Sequence, residues 1–417
     1  MEVQIMFKEI IKPSSSTPQH LKNYKLSLLD QLAPSFYIPI ILFYPSTPQT
    51  SSKEKSDRLK KSFSETLTLF YPLAGRMKNN YSIDCNDEGA FYAEAHITGE
   101  MSMILQDPQV EQLEKLLPFN SQEMSSNGEI LGAQVNHFNC GGMAISICIC
   151  HQTADASTGA SFATTWARIA SGEATTNIKG TIYDCTSIFP PQKTEGISWN
   201  EFAEKDLLSN SVMKRFVFDR SKVATLREKV AIGCLDLPSR VETLTAIIWE
   251  AVLESTNINN AIIAVNLRKR MIPALPELSL GSINQAAFVN CSKNENRIDY
   301  YNLVGKIHES IGMMKNDYIR KIHEGGRYFE VLKDLAENPM NVFTFSSWCR
   351  FPFYEVDFEW GKPVWVTTTL KFKNSAFFID TKDGEGIEAW VTLPKKDMVK
   401  FQQNPNLCAY ASFNPII

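Results

Sequence analysis

The chain lacks the features that mark several function classes. No apolar run approaches the ~20 residues that cross a bilayer; the longest, such as residues 36–44, fall far short. The opening MEVQIMFKEI places Glu2, Lys8 and Glu9 where a secretory signal needs an apolar stretch, which points to a soluble cytoplasmic protein with no membrane partner. Net charge is −4 with no basic block, which argues against a nucleic-acid partner. The densest basic run, KEKSDRLKK at 53–61, reads as the solvated face of a helix start. The nine cysteines include no CxxC pair. Cys148 and Cys150 alternate within one apolar segment, so they share a face and read as small core residues. No HExxH motif or Cys/His cluster calls for a metal. No Gly-rich loop of dinucleotide or Walker type is present, and no repeat of 20–50 residues is visible.

What is present is a chain of 417 residues, 44% hydrophobic and 21% charged, enough for two or three domains with ample cores. Strand and helix signals mix throughout. Residues 24–29 and 37–44 read as strands rich in β-branched and aromatic side chains. Leu59, Phe63 and Leu67 recur at helical spacing, and that helix stops at Phe70-Tyr71-Pro72, with a tight turn at Gly75. Residues 86–89 read as a turn between short strands. Gly141-Gly142 precedes a strand at 144–150, and Ser157 is placed to cap a helix over 158–170. Residues 172–210 carry little helix signal and include Pro190-Pro191, which suits a crossover between domains. Beyond it come a strand at 213–218, a helix at 240–254 preceded by Ser239, and a strand at 261–267. A largely helical stretch over 300–333 is broken at Gly325-Gly326, and strands and turns follow from 341. The fold class is mixed α/β. The boundaries expected are 1–190 and 212–417, joined by a crossover at 191–211.

The chemistry concentrates in Cys148-Ile149-Cys150-His151-Gln152-Thr153-Ala154-Asp155, an apolar strand ending on a histidine with an aspartate four residues on. A neutral imidazole at a strand end can serve as a general base near pH 7. The aspartate can orient the ring or organise the turn, and the competing reading is a strand-end histidine that satisfies only its own hydrogen bonds. A second constellation, Asp357-Phe358-Glu359-Trp360-Gly361-Lys362-Pro363, follows Ser346-Ser347-Trp348-Cys349-Arg350. By composition it reads as a surface loop packed by Phe358 and Trp360.

Together these segments resemble the BAHD family of plant acyl-CoA-dependent acyltransferases, which carries HxxxD near mid-chain and DFGWG near the C-terminus. Further segments agree in order: Leu26 to Gln31, Phe70 to Arg76, Asp84 to Asp87, Cys140 to Gly142, Asn266 to Met271 and Ser347 to Arg350. Within the family, 213–218 and 346–350 look most like the vinorine-synthase-like branch that acetylates monoterpenoid indole alkaloids.

The resemblance implies two chloramphenicol-acetyltransferase-like domains, each a mixed sheet with flanking helices, and a solvent channel between them. It implies a monomer without metal or bound cofactor, using an acyl-CoA, most simply acetyl-CoA, as co-substrate for a small-molecule alcohol. His151 becomes the general base. Asp155 becomes a site-organising residue paired with Arg268, with Arg270 as the other candidate. Ser346 matches a hydroxyl position that donates to the oxyanion, and Trp360 is a weaker candidate for lining the site. Asp357, Trp360 and Gly361 form a structural loop off the active centre. Arg268, Arg270 and Ser239 lie in segments suited to the CoA phosphates. Phe36, Tyr37 and Phe353 are aromatic candidates for the acceptor pocket.

Three positions depart from the family pattern. Glu359 replaces the central glycine of the loop, at a cost of about 1 kcal/mol or more if φ is positive and little otherwise. Ala156 stands where many members have glycine, and Ser282 follows Gly281 where asparagine is usual. Alternatives left open are a malonyl or aromatic acyl donor, an amine or phenolic acceptor, and a non-catalytic CoA- or ligand-binding relative.

Overall fold

The computed structural model describes residues 1–47, 51–178, 184–192, 210–231, 237–276, 278–291, 300–324 and 342–417. In chain order the first strands are β1 (Glu2–Ile11), β2 (Asn23–Lys25), β3 (Tyr37–Tyr44), β4 (Arg76–Asn79), β5 (Ser82–Asp84) and β6 (Ala90–Thr98). There follow β7 (Leu131–Phe138), β8 (Met143–Cys150), β9 (Ser211–Phe218), β10 (Asn260–Asn266) and β11 (Asn284–Asn290). The last are β12 (Val342–Ser347), β13 (Trp365–Thr367), β14 (Ser375–Asp380), β15 (Ile387–Pro394) and β16 (Ser412–Phe413).

These strands build two large mixed sheets and one small one, a mixed α/β architecture. The first large sheet runs β1-β6-β7-β8-β3-β13, the second β11-β10-β12-β14-β15-β9-β16, and the small one β2-β5-β4. In the first sheet only β6 and β7 run parallel. In the second, β12 runs parallel to both β10 and β14. The strand β13 comes from the C-terminal half yet closes the first sheet, with Trp365 opposite Phe43 and Thr367 opposite Ile41. The two sheets are therefore interlocked by chain exchange. Of the expected crossover, 193–209 lie outside the described residues, as do Gly325-Gly326 and the rest of 325–341.

The core strand β3, YIPIILFY, is buried along its whole length because sheet neighbours and helices cover both its faces. Its partner β8 is buried in the same way, so Cys148 and Cys150 are core residues. Burial pushes the Cys150 thiol up to about 12 and that of Cys148 higher still, which makes both inert at neutral pH.

Local readings needed correction in three places. Residues 24–29 are not one strand: β2 ends at Lys25, and Ser27 opens a short helix, Leu28–Leu32, through a reciprocal cap with Asp30. The helix after the histidine spans Ala156–Ala170 and is capped by Asp155, not Ser157; the Asp155 carboxylate accepts from Thr158 N at 2.9 Å. In the stretch from 300, helix Tyr300–Met313 gives way to helix Asn316–Glu324, so the chain already breaks at residues 314–315. The helix after Ser51, Ser52–Leu69, buries Leu59, Phe63 and Leu67 as their spacing requires.

Candidate active site

Strand β8 delivers His151 to its end, where the backbone N–H donates to Phe36 O at 2.8 Å and the chain turns into helix Ala156–Ala170. His151 lines a cavity of about 1430 Å³, counting its solvent-open mouth. The cavity lies between the two large sheets. From the second sheet, alternate residues face it: Ile262, Ala264 and Asn266 on β10, Asn284 and Ala286 on β11, Thr344 and Ser346 on β12. Leu29, Leu32, Ala33 and Pro34 form an apolar wall near the His151 turn, and Trp348, Phe351, Phe372 and Phe377 an aromatic one.

The imidazole is held in one orientation. Its Nδ1 lies 3.1 Å from Ala154 O and 2.7 Å from Ser282 Oγ. A carbonyl only accepts, so Nδ1 carries the proton. The Ser282 hydroxyl gives its own proton to His151 O at 2.8 Å, which leaves Oγ free to accept from Nδ1. Nε2 has no hydrogen-bond partner among the described residues and is the basic nitrogen. Burial holds the imidazole below its ordinary range, against the opposing pull of local hydrogen bonds and the Asp155 charge. The ring is neutral at pH 7.

Asp155 turns away from the imidazole and meets Arg268. Arg268 Nη1 donates to Asp155 Oδ2 at 2.7 Å and Nη2 to Oδ1 at 3.0 Å, with both side chains about nine-tenths buried. The remaining guanidinium donors reach Ser279 O, Gly281 O, Thr158 Oγ1 and Asn266 Oδ1. The Asp155 carboxylate also accepts from Ile283 N at 3.1 Å. This fully satisfied pair stitches the His151 turn to residues 279–283 of the other half of the chain.

Asp30 pins the same segment from the other side. Its Oδ1 accepts from Ser282 N at 2.7 Å, and its Oδ2 accepts from Ser27 N and Ser27 Oγ. Burial pushes the Asp30 carboxyl up to about 6, against the pull of those hydrogen bonds. Gly281, at φ +135°, passes so close that an added Cβ would stand 2.7 Å from Asp30 Oδ1.

Several expected contacts do not form. Arg268 is consumed by Asp155 and backbone carbonyls, so it is not available to a phosphate. Arg270 donates to Ile311 O and Met314 O, both at 3.0 Å, and bonds neither Asp155 nor the cavity wall. Ser239 caps helix Arg240–Ser255 in a reciprocal bond with Glu242. Arg268 and Ser239 thus serve internal polar groups, and Arg270 engages helix-end carbonyls through Nη1.

The three aromatic pocket candidates belong to the core. Phe36 supports the site from behind, edge-on to His151 with centroids 5.5 Å apart. Tyr37 stacks on Phe119 and donates its hydroxyl to Glu129 O. Strand alternation turns Ile38, not Tyr37, to the cavity. Phe353 is buried against Trp348 and Phe351. Ser346 does line the cavity, as does Ala156 in the first turn of its helix.

The Asp357 loop stands away from the cavity, against the far end of helix Ala156–Ala170. Ser171 Oγ donates to Asp357 O at 3.0 Å, and Phe358 packs edge-on against Trp166. Asp357 Oδ1 accepts from Glu359 N at 2.8 Å and Gly361 N at 3.0 Å, which closes the turn. Trp360 stacks on Phe358 under the Lys55 ammonium and lines no part of the cavity. Glu359 does occupy the left-handed region, at φ 74°, and its carboxylate pairs with Arg58 at the surface.

Sequence reasoning missed Asp30 and the contact between Ser282 and His151. The first was signalled by the Ser27-x-x-Asp30 spacing of a helix cap. The second had no local signal, since its partners lie 131 residues apart.

A family profile described as "Transferase family" matches residues 1–408. Limonoid 1-O-acetyltransferase of Citrus sinensis is 44% identical, with 99% of each chain covered. Stemmadenine O-acetyltransferase of Catharanthus roseus is 37% identical, with 95% of each covered. Among solved structures, the crystal structure of vinorine synthase superposes with a TM-score of 0.86 at 33% identity, covering 99% of both chains.

Proposed function

Because the chain belongs to the Transferase family of BAHD acyltransferases, enzymes that use an acyl-CoA as co-substrate, we propose that it moves acetyl from acetyl-CoA to a hydroxyl of a neutral, polycyclic plant terpenoid, with His151 as general base. The observation that carries the reading is the basic Nε2 of His151 at the cavity, its partner nitrogen fixed as a donor.

An alcohol attacks a thioester slowly because its proton is held too tightly. His151 Nε2 takes that proton as the oxygen bonds to the carbonyl carbon. The carbonyl π electrons move to oxygen, where Ser346 is the donor placed along the cavity wall. The intermediate collapses, the C–S bond breaks, and the CoA thiolate takes the proton back from Nε2. Asp155 takes no part in proton transfer, since both its oxygens serve Arg268 and backbone amides.

Acetyl as donor is supported by the names of both relatives. The acceptor reading departs from the indole-alkaloid expectation. The more similar relative is named for limonoids. The cavity wall is largely aliphatic and aromatic, its carboxylate at Asp155 is neutralised by Arg268, and Lys373 adds positive charge. Such a site favours a neutral ring system over a protonated amine.

The test pairs purified enzyme and acetyl-CoA with neutral terpenoid alcohols and with basic alkaloid alcohols of similar size, read by mass spectrometry. Higher kcat/KM for the terpenoids is expected. Preference for the alkaloids overturns the acceptor reading, and full turnover by His151→Ala overturns the base.

A further inference from the structure

We propose that Ser282 is a positioning residue for the base: its hydroxyl bonds both the ring and the backbone carbonyl of His151 and so fixes which nitrogen attacks. The inference rests on His151 acting as general base. Ala154 O alone, at 3.1 Å, would name the protonated nitrogen but leave the ring free to tilt about that single contact. Ser282 closes a second, shorter link: Oγ accepts from Nδ1 at 2.7 Å and donates to the carbonyl of the same residue at 2.8 Å. The ring is thereby tied to its own backbone through one hydroxyl.

That hydroxyl is itself rigidly placed. Ser282 N donates to Asp30 Oδ1, the preceding carbonyl of Gly281 accepts from Asp155 N, Thr158 Oγ1 and Arg268 Nη2, and the following Ile283 N donates to Asp155 Oδ2. The contacts just named come from the His151 turn and the helix after it, from Arg268 and from Asp30, and Leu267 N adds a bond to Ile283 O at 3.1 Å. The Asp155–Arg268 pair therefore acts on the base through Ser282: it places the segment, and the segment places the imidazole. A residue that shares the serine's backbone bonds but lacks a hydroxyl keeps those bonds and removes the two hydroxyl contacts to His151, one to its ring and one to its carbonyl.

The charged and ionisable neighbours are Asp155, neutralised by Arg268, Lys373 on the cavity wall, and Asp30, whose carboxyl is pushed up by burial to about 6. The readouts must separate the Asp30 titration from that of the imidazole. In wild-type enzyme with ring-labelled histidine, nitrogen chemical shifts above the imidazole pKa should show His151 protonated at Nδ1 and bare at Nε2. The His151 signal is assigned by its loss in His151→Ala. Ser282→Ala should lower kcat about tenfold, the worth of one hydrogen bond to a developing imidazolium, with KM for acetyl-CoA unchanged. Because the Nδ1–H···Oγ bond favours the charged ring, its removal should also move the imidazole titration in these spectra to lower pH. Ser282→Thr, which keeps the hydroxyl, should restore both. A purely structural serine would change thermal stability without moving the titration.

An Nε2-protonated imidazole in the wild type overturns the proposal, even if Ser282→Ala does not fold. So does a Ser282→Ala enzyme with wild-type kcat and titration. If instead His151→Ala retains activity, it is the base assignment that fails.

Discussion

The His151 turn and the Asp357 loop are built on the same device and serve different ends. In each, an aspartate accepts backbone N–H groups and so closes a turn. Asp155 does so while buried and clamped by Arg268, with the cavity on its other flank. Asp357 does so at the surface, among stacked aromatics and one ion pair. Both hold helix Ala156–Ala170, one as its N-cap, the other through Ser171 at its C-terminal end. Two motifs that stand out equally in the sequence divide into one that presents chemistry and one that braces the element presenting it.

This contrast can be broken most forcefully at His151. His151→Ala should cut kcat by about 10²–10⁴-fold with little change in melting temperature, since the ring packs at a cavity edge. Exchanging the two aspartates for alanine sharpens the comparison. Asp155→Ala leaves Arg268 buried and unpaired, and should cost about 3–5 kcal/mol in urea denaturation along with activity. Asp357→Ala should cost about 1 kcal/mol and leave kcat within about twofold of wild type, because only exposed turn hydrogen bonds are lost. Comparable damage from both would erase the distinction.

The pH dependence has a defined sign. His151 titrates below 6.5, so kcat should be at its plateau at pH 7 and fall only on further acidification. Asp30 acts on stability in the same range. Its folded pKa is raised to about 6 from 3.8, so its contribution is fully present below 3.8 and is lost as pH rises through about 6. Chemical denaturation of wild type against Asp30→Asn across pH 4–7 should show that slope only in the wild type. The smallest effect belongs to Glu359→Gly. Relief of a left-handed φ returns about 1 kcal/mol, and loss of the exposed Arg58 pair removes up to about the same. Stability should rise by at most about 1 kcal/mol, with kcat unchanged.

Much of this architecture was legible in the residues. Strands at 37–44, 144–150 and 261–267 are strongly apolar, the one at 213–218 mixes aromatics with Lys214 and Arg215, and each forms within two residues of the expected bounds. The helices around Leu59 and over 240–254 follow from their spacing and serine caps. His151 and Asp155 were legible because strand, turn and helix are contiguous there. The rest depends on partners distant in sequence. Arg268 and Arg270 are alike as residues, and only the fold decides that one meets a carboxylate and the other two helix-end carbonyls. Phe36, Tyr37 and Phe353 are aromatic enough for a pocket, yet strand alternation and packing direct them into the core. The strain at Glu359 depended on a dihedral angle that the sequence could only pose as a question.

The exchange of β13 has a consequence for synthesis. Until residues 365–367 leave the ribosome, the edge of β3 that they cover has no partner in its sheet. That edge belongs to YIPIILFY, an uncharged and strongly apolar strand of the kind that recruits other chains when exposed. The first sheet therefore stays one strand short until that distant segment of the C-terminal half arrives to cover β3.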